Sequence, residues 1–419
     1  MCPTGASGAA AQLQAAGMSA GAAASKAAML ERVQRAFTAW RPAAAGRKRA
    51  WFVPGRVEIF GKHTDYAGGR SLLCAIERGF CVLAAPRADG TIGLLDVDWS
   101  ARAEFPMGGC APAPMPWTAY PATVAARLEK DFPGACGGAD VAFASDLPRA
   151  AGMSSSSALV VASFLGFDHA GAAARALGTR ADLAAYLAAV ETGVGTHGGS
   201  EDHTAILCCR AGRWSQFRFM PLVEEAAVPA PPGLALVIGV SGAAAAKTGG
   251  ARAPYNRAAR LLAAARSGQA SAEFSQAEMA ARREQFELES EVLIPAAVAA
   301  VRRQDWSALG ACAARSQAAA DRGLGNQVPE TRALVALAIE QGAVAASAFG
   351  AGFGGAVWAL APAAERQAFR RRWQAAYRAQ FAERAPASVF FGSAAGPAAL
   401  EIGLSEDAHA LSAPAAEPS

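Results

Sequence analysis

Three stretches of this chain gather the residue types that chemistry needs. Residues 148–159 place Gly152, Met153 and the four serines Ser154, Ser155, Ser156 and Ser157 behind a Pro/Gly turn and ahead of an apolar run that includes Leu159, Val160 and Val161. A helix start leaves backbone N–H groups without partners, and hydroxyls beside them favour an anion such as phosphate. The loop therefore reads as a holder of a nucleotide triphosphate, with a plain helix cap as the bland alternative. The Gly-Lys-Ser/Thr and GxGxxG patterns are absent from it. Residues 54–69 follow a strand-like run and concentrate Arg56, Lys62, His63 and Asp65 among glycines, which is too many functional groups for a connector. Residues 350–355 form a second glycine loop, where backbone can approach a ligand closely.

Composition bounds the partners. The chain has 419 residues, 53% hydrophobic and 18% charged, enough for a large core and two domains. A net charge of +4, with no basic block interleaved with aromatics, gives nucleic-acid binding no electrostatic support. Arg370, Arg371 and Arg372 form a triple basic run and read as a solvated helix face. The eight cysteines contain no CxxC pair, so metal and disulfide frameworks are unsupported and a reducing cytoplasm fits. No apolar stretch reaches membrane-spanning length.

Elements must position the three stretches. Residues 1–27 are rich in Ala, Gly and Ser and are expected to be a disordered tail. A helix is expected at 27–40, with short strands at 51–53 and 57–60 around a turn at Pro54 and Gly55. Strands follow at 72–85, 91–97 and 139–144, the last entering the serine loop. Helices are expected at 117–130, 155–167, 170–176 and 180–191. A domain boundary is placed between Pro221 and Pro232, after a polar loop at 196–203. A strand at 234–240 opens a helix-dominated half: 255–266, 275–288, 294–302, 306–321 and 330–341. Strands at 343–348, 356–360 and 388–391 and one long helix at 363–383 complete it. Residues 411–419 are expected to be disordered.

The three stretches together, in this order and spacing, resemble the three signature motifs of the GHMP small-molecule kinases, and within them the galactokinase branch, whose first motif reads much like PGRVxxxGxHTDYxGG. The likeness runs from about Trp51 to about Leu360. It implies an α+β, two-lobed fold: an N-terminal ribosomal-S5-domain-2-like lobe over 28–225 and a C-terminal ferredoxin-like lobe over 226–410. It implies ATP-dependent phosphorylation of a sugar hydroxyl, galactose at C1, with ATP and Mg²⁺. The partners are the sugar and ATP, and the chain is expected to act as a monomer without nucleic acid or membrane.

Residue by residue, the resemblance gives Asp202 as the catalytic carboxylate and Arg56 as the cation beside it. Gly152–Ser157 become the phosphate cradle. Trp117 and Tyr120 resemble a segment near the adenine, although both also read as core residues. Ser156 and Glu191 resemble the Mg²⁺ ligands, with the spacing from Glu191 to Asp202 one residue short. His63, Asp65, Gly199 and Tyr255 would define the sugar pocket. His169, His197 and His203 have no role and read as surface loop residues.

Two departures bear on the sugar. The family residue before His-Thr-Asp is a glutamate that contacts the sugar near its C6 hydroxyl; here it is Lys62, which replaces an acceptor by a cationic donor. A lysine at that end of the pocket would pair with the carboxylate of a uronic acid; alternatively it turns away and the sugar is galactose. The family's N-terminal galactose-associated segment has no clear counterpart before Trp51. A non-catalytic sugar and ATP sensor is the reading of another class, and a non-sugar substrate is disfavoured by the run from His63 to Tyr66.

Overall fold

The computed structural model describes residues 6–44, 46–109, 116–195, 198–243 and 252–404. Its centre is the strand Arg49–Phe60, buried along its whole length after Arg49. Side chains alternate across a strand, so one strand can serve two cores. Trp51, Val53, Val57 and Ile59 face one core with the helix Ser155–Phe167, while Ala50 and Phe52 face a second with the helix Ala20–Trp40. The neighbouring strands Arg70–Arg87 and Gly138–Ser145 divide in the same way. Pro54 and Gly55, expected as a turn, lie inside this strand at a register shift between Pro54 and Arg56. The ladder to Arg70–Arg87 continues on both sides of that bulge and overrides the local turn signal.

Among the described residues, one sheet has eight strands and a second has four. The second runs Val389–Ser393, Leu234–Val240, Ala356–Pro362, Ala345–Phe349, antiparallel throughout. The helices Pro329–Glu340 and Arg366–Gln380 close one of its faces through Leu334, Phe369, Trp373 and Tyr377. Its other face joins the first core: Trp358 packs on Phe60 and donates its indole N–H to Ile59 O at 3.1 Å.

Several expectations fail. Residues 6–27, expected as part of a disordered tail, are ordered helix for most of their length. From Ala6 they form the helix Ala6–Ala15 and the first part of Ala20–Trp40, with Leu13, Met18, Ala23 and Ala27 buried against the first sheet. Alanine has high helix propensity and lets a helix lie close to a sheet, so few large side chains are needed. Strand Val223–Pro229, paired with Arg213–Arg218, occupies the expected domain boundary. Strand Leu400–Ile402, placed in the second lobe, returns to pair with Arg49–Phe60 in the first sheet. The expected long helix is a short turn, Ala363–Glu365, followed by Arg366–Gln380. Residues 411–419 and His197 lie outside the described residues.

Candidate active site

The bulge delivers Arg56. Its side chain is buried, and two guanidinium nitrogens converge on Asp202 Oδ1, Nε at 2.9 Å and Nη2 at 2.7 Å. Nη1 donates to Gly152 O in the serine loop. Asp202 is the second residue of the helix Glu201–Cys208, where the helix dipole favours negative charge. Burial alone would lower the pKa of Arg56, but the charges of Asp202, Glu201 and Glu58 outweigh it and hold it above the usual arginine value. A permanent cation is thus clamped to Asp202. The Ser157 hydroxyl sits on the other side, 2.7 Å from Glu191 Oε2 and 3.2 Å from Asp202 Oδ2.

A polar cleft opens on one side of this pair, lined by Glu58, His63, Asp65, Glu191, Gly198, Gly199, Glu201 and Tyr255 among others. Asp65 accepts the Glu201 N–H at 3.1 Å and so caps that helix. A Cβ on Gly199 would lie 2.5 Å from Asp65 Oδ2, so the close approach requires glycine. His63 Nε2 lies 2.9 Å from Ala351 O and Nδ1 lies 3.1 Å from the Tyr66 hydroxyl, which also receives Arg282 Nη2 at 3.0 Å. This network assigns the proton to Nε2. Burial raises the Glu201 carboxyl well above the ordinary range, with Glu58 adding to it and Arg56 opposing. Burial also pushes Glu58 up to about 7, against the lowering charges of Lys62 and Arg56.

A larger cavity of about 570 Å³ opens on the other side, lined by Gly152, Ser154, Ser155, Ser156, Trp117, Tyr120 and Phe143. Both cavities share Arg56, Asp202 and Ala351. Ser154 stands at the N-cap of Ser155–Phe167 with φ 59° and makes no side-chain capping bond, which removes the plain-cap reading. The loop is seated against the second glycine loop: a Cβ on Gly350 would lie 2.8 Å from Gly152 O. Trp117 and Tyr120 both pack on the core and line the cavity, so the two readings of them hold together.

Most of the expected residues converge, and some do not. Met153 is turned into the core, so only its backbone belongs to the loop. Ser157, rather than Ser156, touches Glu191. Lys62 does not line the polar cavity. Buried to 1% exposure, it donates from Nζ to Ser316 Oγ at 2.7 Å, and that hydroxyl donates to Glu289 Oε1 at 2.9 Å. A buried amine needs such polar partners, and here they lie on the helices behind the loop. His203, expected on the surface, is buried with Nε2 3.2 Å from Glu191 Oε2. Sequence reasoning missed Glu58, Glu201 and the exposed aromatic rim at Trp99, over which Arg149 sits 4.6 Å from the ring centroid. The single acid in a largely apolar strand, two residues from Arg56, was the available signal for Glu58.

Glu191 and the serine hydroxyls are hard oxygen donors and fit Mg²⁺. Among the described residues no group of three or more His, Cys, Asp or Glu side chains is arranged to hold a metal. The protein donors therefore suit an ion completed by phosphate and water.

Comparison with known proteins agrees with this geometry. The galactokinase galactose-binding signature matches residues 43–86, the GHMP kinases N-terminal domain matches 119–210, and the GHMP kinases C-terminal domain matches 297–379. The first match supplies the N-terminal counterpart that was expected to be missing before Trp51. The galactokinase of Streptomyces coelicolor is 37% identical over 166 residues, covering 39% of this chain and 42% of that protein. That of Roseiflexus sp. is 32% identical over 200 residues, covering 44% and 46%. That of Actinobacillus pleuropneumoniae is 36% identical over 111 residues, covering 26% and 29%. The chain thus spans less than half the length of these curated relatives. The structure of Lactococcus lactis galactokinase complexed with galactose matches with a TM-score of 0.78 at 20% identity, over 88% of this chain and 99% of that one. Methanococcus jannaschii mevalonate kinase matches with 0.59 at 12% identity, over 84% and 99%. Three family signatures in order, on a backbone of that fold, make this chain a member of the GHMP kinase superfamily, on its galactokinase branch.

Proposed function

We propose that this chain transfers the γ-phosphoryl group of ATP to the C1 hydroxyl of galactose. One observation carries the reading: two cavities, one with a serine loop at a helix start and one rich in carboxylates, meet at the Arg56–Asp202 pair. ATP would lie in the larger cavity, its phosphates on the backbone of Gly152–Ser157 and its base near Trp117 and Tyr120. The sugar would lie among His63, Asp65, Gly199 and Tyr255. Phosphoryl transfer needs chiefly positioning and charge stabilisation. Asp202 would accept or orient the proton of the attacking hydroxyl. Arg56 would keep Asp202 ionised and offset charge on the transferring group. Glu191 with Ser156 or Ser157 would hold Mg²⁺, which when bound neutralises phosphate charge. The carboxylates of the polar cavity suit a neutral polyol. A uronic acid would meet them without Lys62, so that alternative loses its support. A sensor role loses support too, since Arg56 and Asp202 are both present and paired. The lining of both cavities by one chain supports a monomer as the acting unit. Six free cysteines among the described residues suit a cytoplasmic location, and no helix there is long and apolar enough to cross a membrane.

The test is ADP release from ATP with galactose, other hexoses, pentoses and uronic acids. Galactose should give the highest kcat/KM. Asp202→Asn should lower kcat about 10²- to 10⁴-fold. Full activity in that variant, or turnover of uronic acids in preference to galactose, would overturn the reading.

A further inference from the structure

Arg56 and Glu58 lie two residues apart on one strand with no register shift between them, so they point to one side of it. Both line the polar cavity. Glu58 Oε2 accepts the Gly350 N–H at 3.2 Å, whereas Oε1 is buried and has no partner among the described residues. A buried carboxylate oxygen left unpaired is costly, and natural proteins rarely keep one without a reason. Lys62, at the position where an acid was expected to meet the sugar, faces Ser316 and Glu289 instead. The acidic group that this end of the cavity offers is therefore four residues upstream, on the strand itself.

We propose that Glu58 is a sugar-contacting residue of this chain, with Oε1 accepting a hydrogen bond from one substrate hydroxyl. The proposal rests on the sugar kinase reading above and adds a specificity-determining residue to it. A group raised to about 7 by burial is the kind that a bound donor would return to its ionised form. The alternative is a structural counter-charge for Arg56 and Lys62, which would stabilise the fold without reading any one hydroxyl.

The experiment measures galactose binding by calorimetry, and KM for sugar and ATP, in the full chain, Glu58→Ala and Glu58→Gln, with a panel of monodeoxygalactoses. Glu58→Ala should weaken galactose binding about 10- to 100-fold, the range of a hydrogen bond to a charged group, with KM for ATP changed less than about twofold. One deoxygalactose should lose a similar factor with the unmodified chain and lose little more with the variant. Circular dichroism checks folding, and Glu58→Gln decides if Glu58→Ala does not fold. Galactose binding unchanged in a folded variant, or losses that simply multiply for every deoxy sugar, would overturn the contact. If the unmodified chain binds galactose but releases no ADP with it, the kinase reading fails while calorimetry still scores the contact. If it binds no sugar of the panel, both fall.

Discussion

Glu58 ties stability to pH in a direction that can be read. Its environment contains Arg56, Lys62, Glu201, Glu289 and the Gly350 N–H. Burial is the largest influence and lifts the folded pKa to about 7 from an ordinary 4.5. A raised acid favours the folded state while protonated and loses that advantage as pH rises through the folded value. From about pH 4.5 to 7 the unfolded chain ionises first, so stability falls with pH across that window. Glu58→Gln cannot ionise and escapes this loss. Thermal melts should therefore show the variant gaining on the unmodified chain between pH 5.5 and pH 8, by an amount on the order of 2 kcal/mol. A stability difference that stays flat with pH would show that Glu58 does not titrate there. The same residue marks a limit of reading sequence. An acid in a largely apolar strand is visible at once, but that Oε2 meets the Gly350 N–H while Oε1 does not depends on a loop almost three hundred residues away.

At the scale of elements, the two glycine loops form one joint. Gly350 has φ 79°, and its Cα side faces Gly152 O, the same carbonyl that receives Arg56. Gly350→Ala adds a methyl at 2.8 Å from that oxygen and strains a left-handed residue. The serine loop must shift, and Arg56 with it. We expect a loss of about 1–3 kcal/mol of stability together with a rise of at least about tenfold in KM for ATP. Equilibrium unfolding and initial rates over ATP concentration check both, and an unchanged KM would separate this joint from nucleotide binding. The elements around it were legible to different degrees. Ser155–Phe167, Arg180–Glu191 and Leu234–Val240 match the bounds read from sequence because breakers or polar residues frame clear apolar runs. The strand through Pro54 and Gly55 was not legible, because a bulge and a turn carry the same residues and only the sheet partners distinguish them. Motif spacing points to Arg56, Asp202, His63 and Asp65, and the fold brings these four to the lining of one cavity. Lys62 was placed wrongly because spacing locates a Cα, whereas the direction of a long side chain depends on distant Ser316 and Glu289.

At the scale of the whole molecule, the N-terminal helices that composition presents as a tail close the second core. Leu13 and Met18 are 0% and 4% exposed, and burial of two such side chains contributes roughly 3–6 kcal/mol. The helices are also fastened by polar groups: Ser19 N–H donates to Glu77 Oε1 at 2.6 Å, Gln12 and Gly403 exchange two hydrogen bonds, and buried Lys26 pairs with Asp146. Asp146 also accepts the Gly79 N–H at 2.9 Å and stands two residues before Pro148, at the entrance to the serine loop. Removing the N-terminal segment therefore uncovers apolar sheet and frees the anchor of the phosphate loop together. A chain begun at Met29 loses Leu13, Met18, Ala23, Lys26 and Ala27 and keeps every residue of both cavities. Its melting temperature should fall by about 10 °C or more, since a loss of several kcal/mol moves the midpoint by a few degrees per kcal/mol. If enough folded protein remains, KM for ATP should rise several-fold while sugar binding stays within about twofold, because the residues flanking Asp146, Ser145 and Leu147, line the larger cavity and not the polar one. A truncated chain that melts within a few degrees of the full chain would return residues 1–27 to the status of a tail, whereas equal losses for ATP and sugar would trace the defect to general loosening rather than to Asp146.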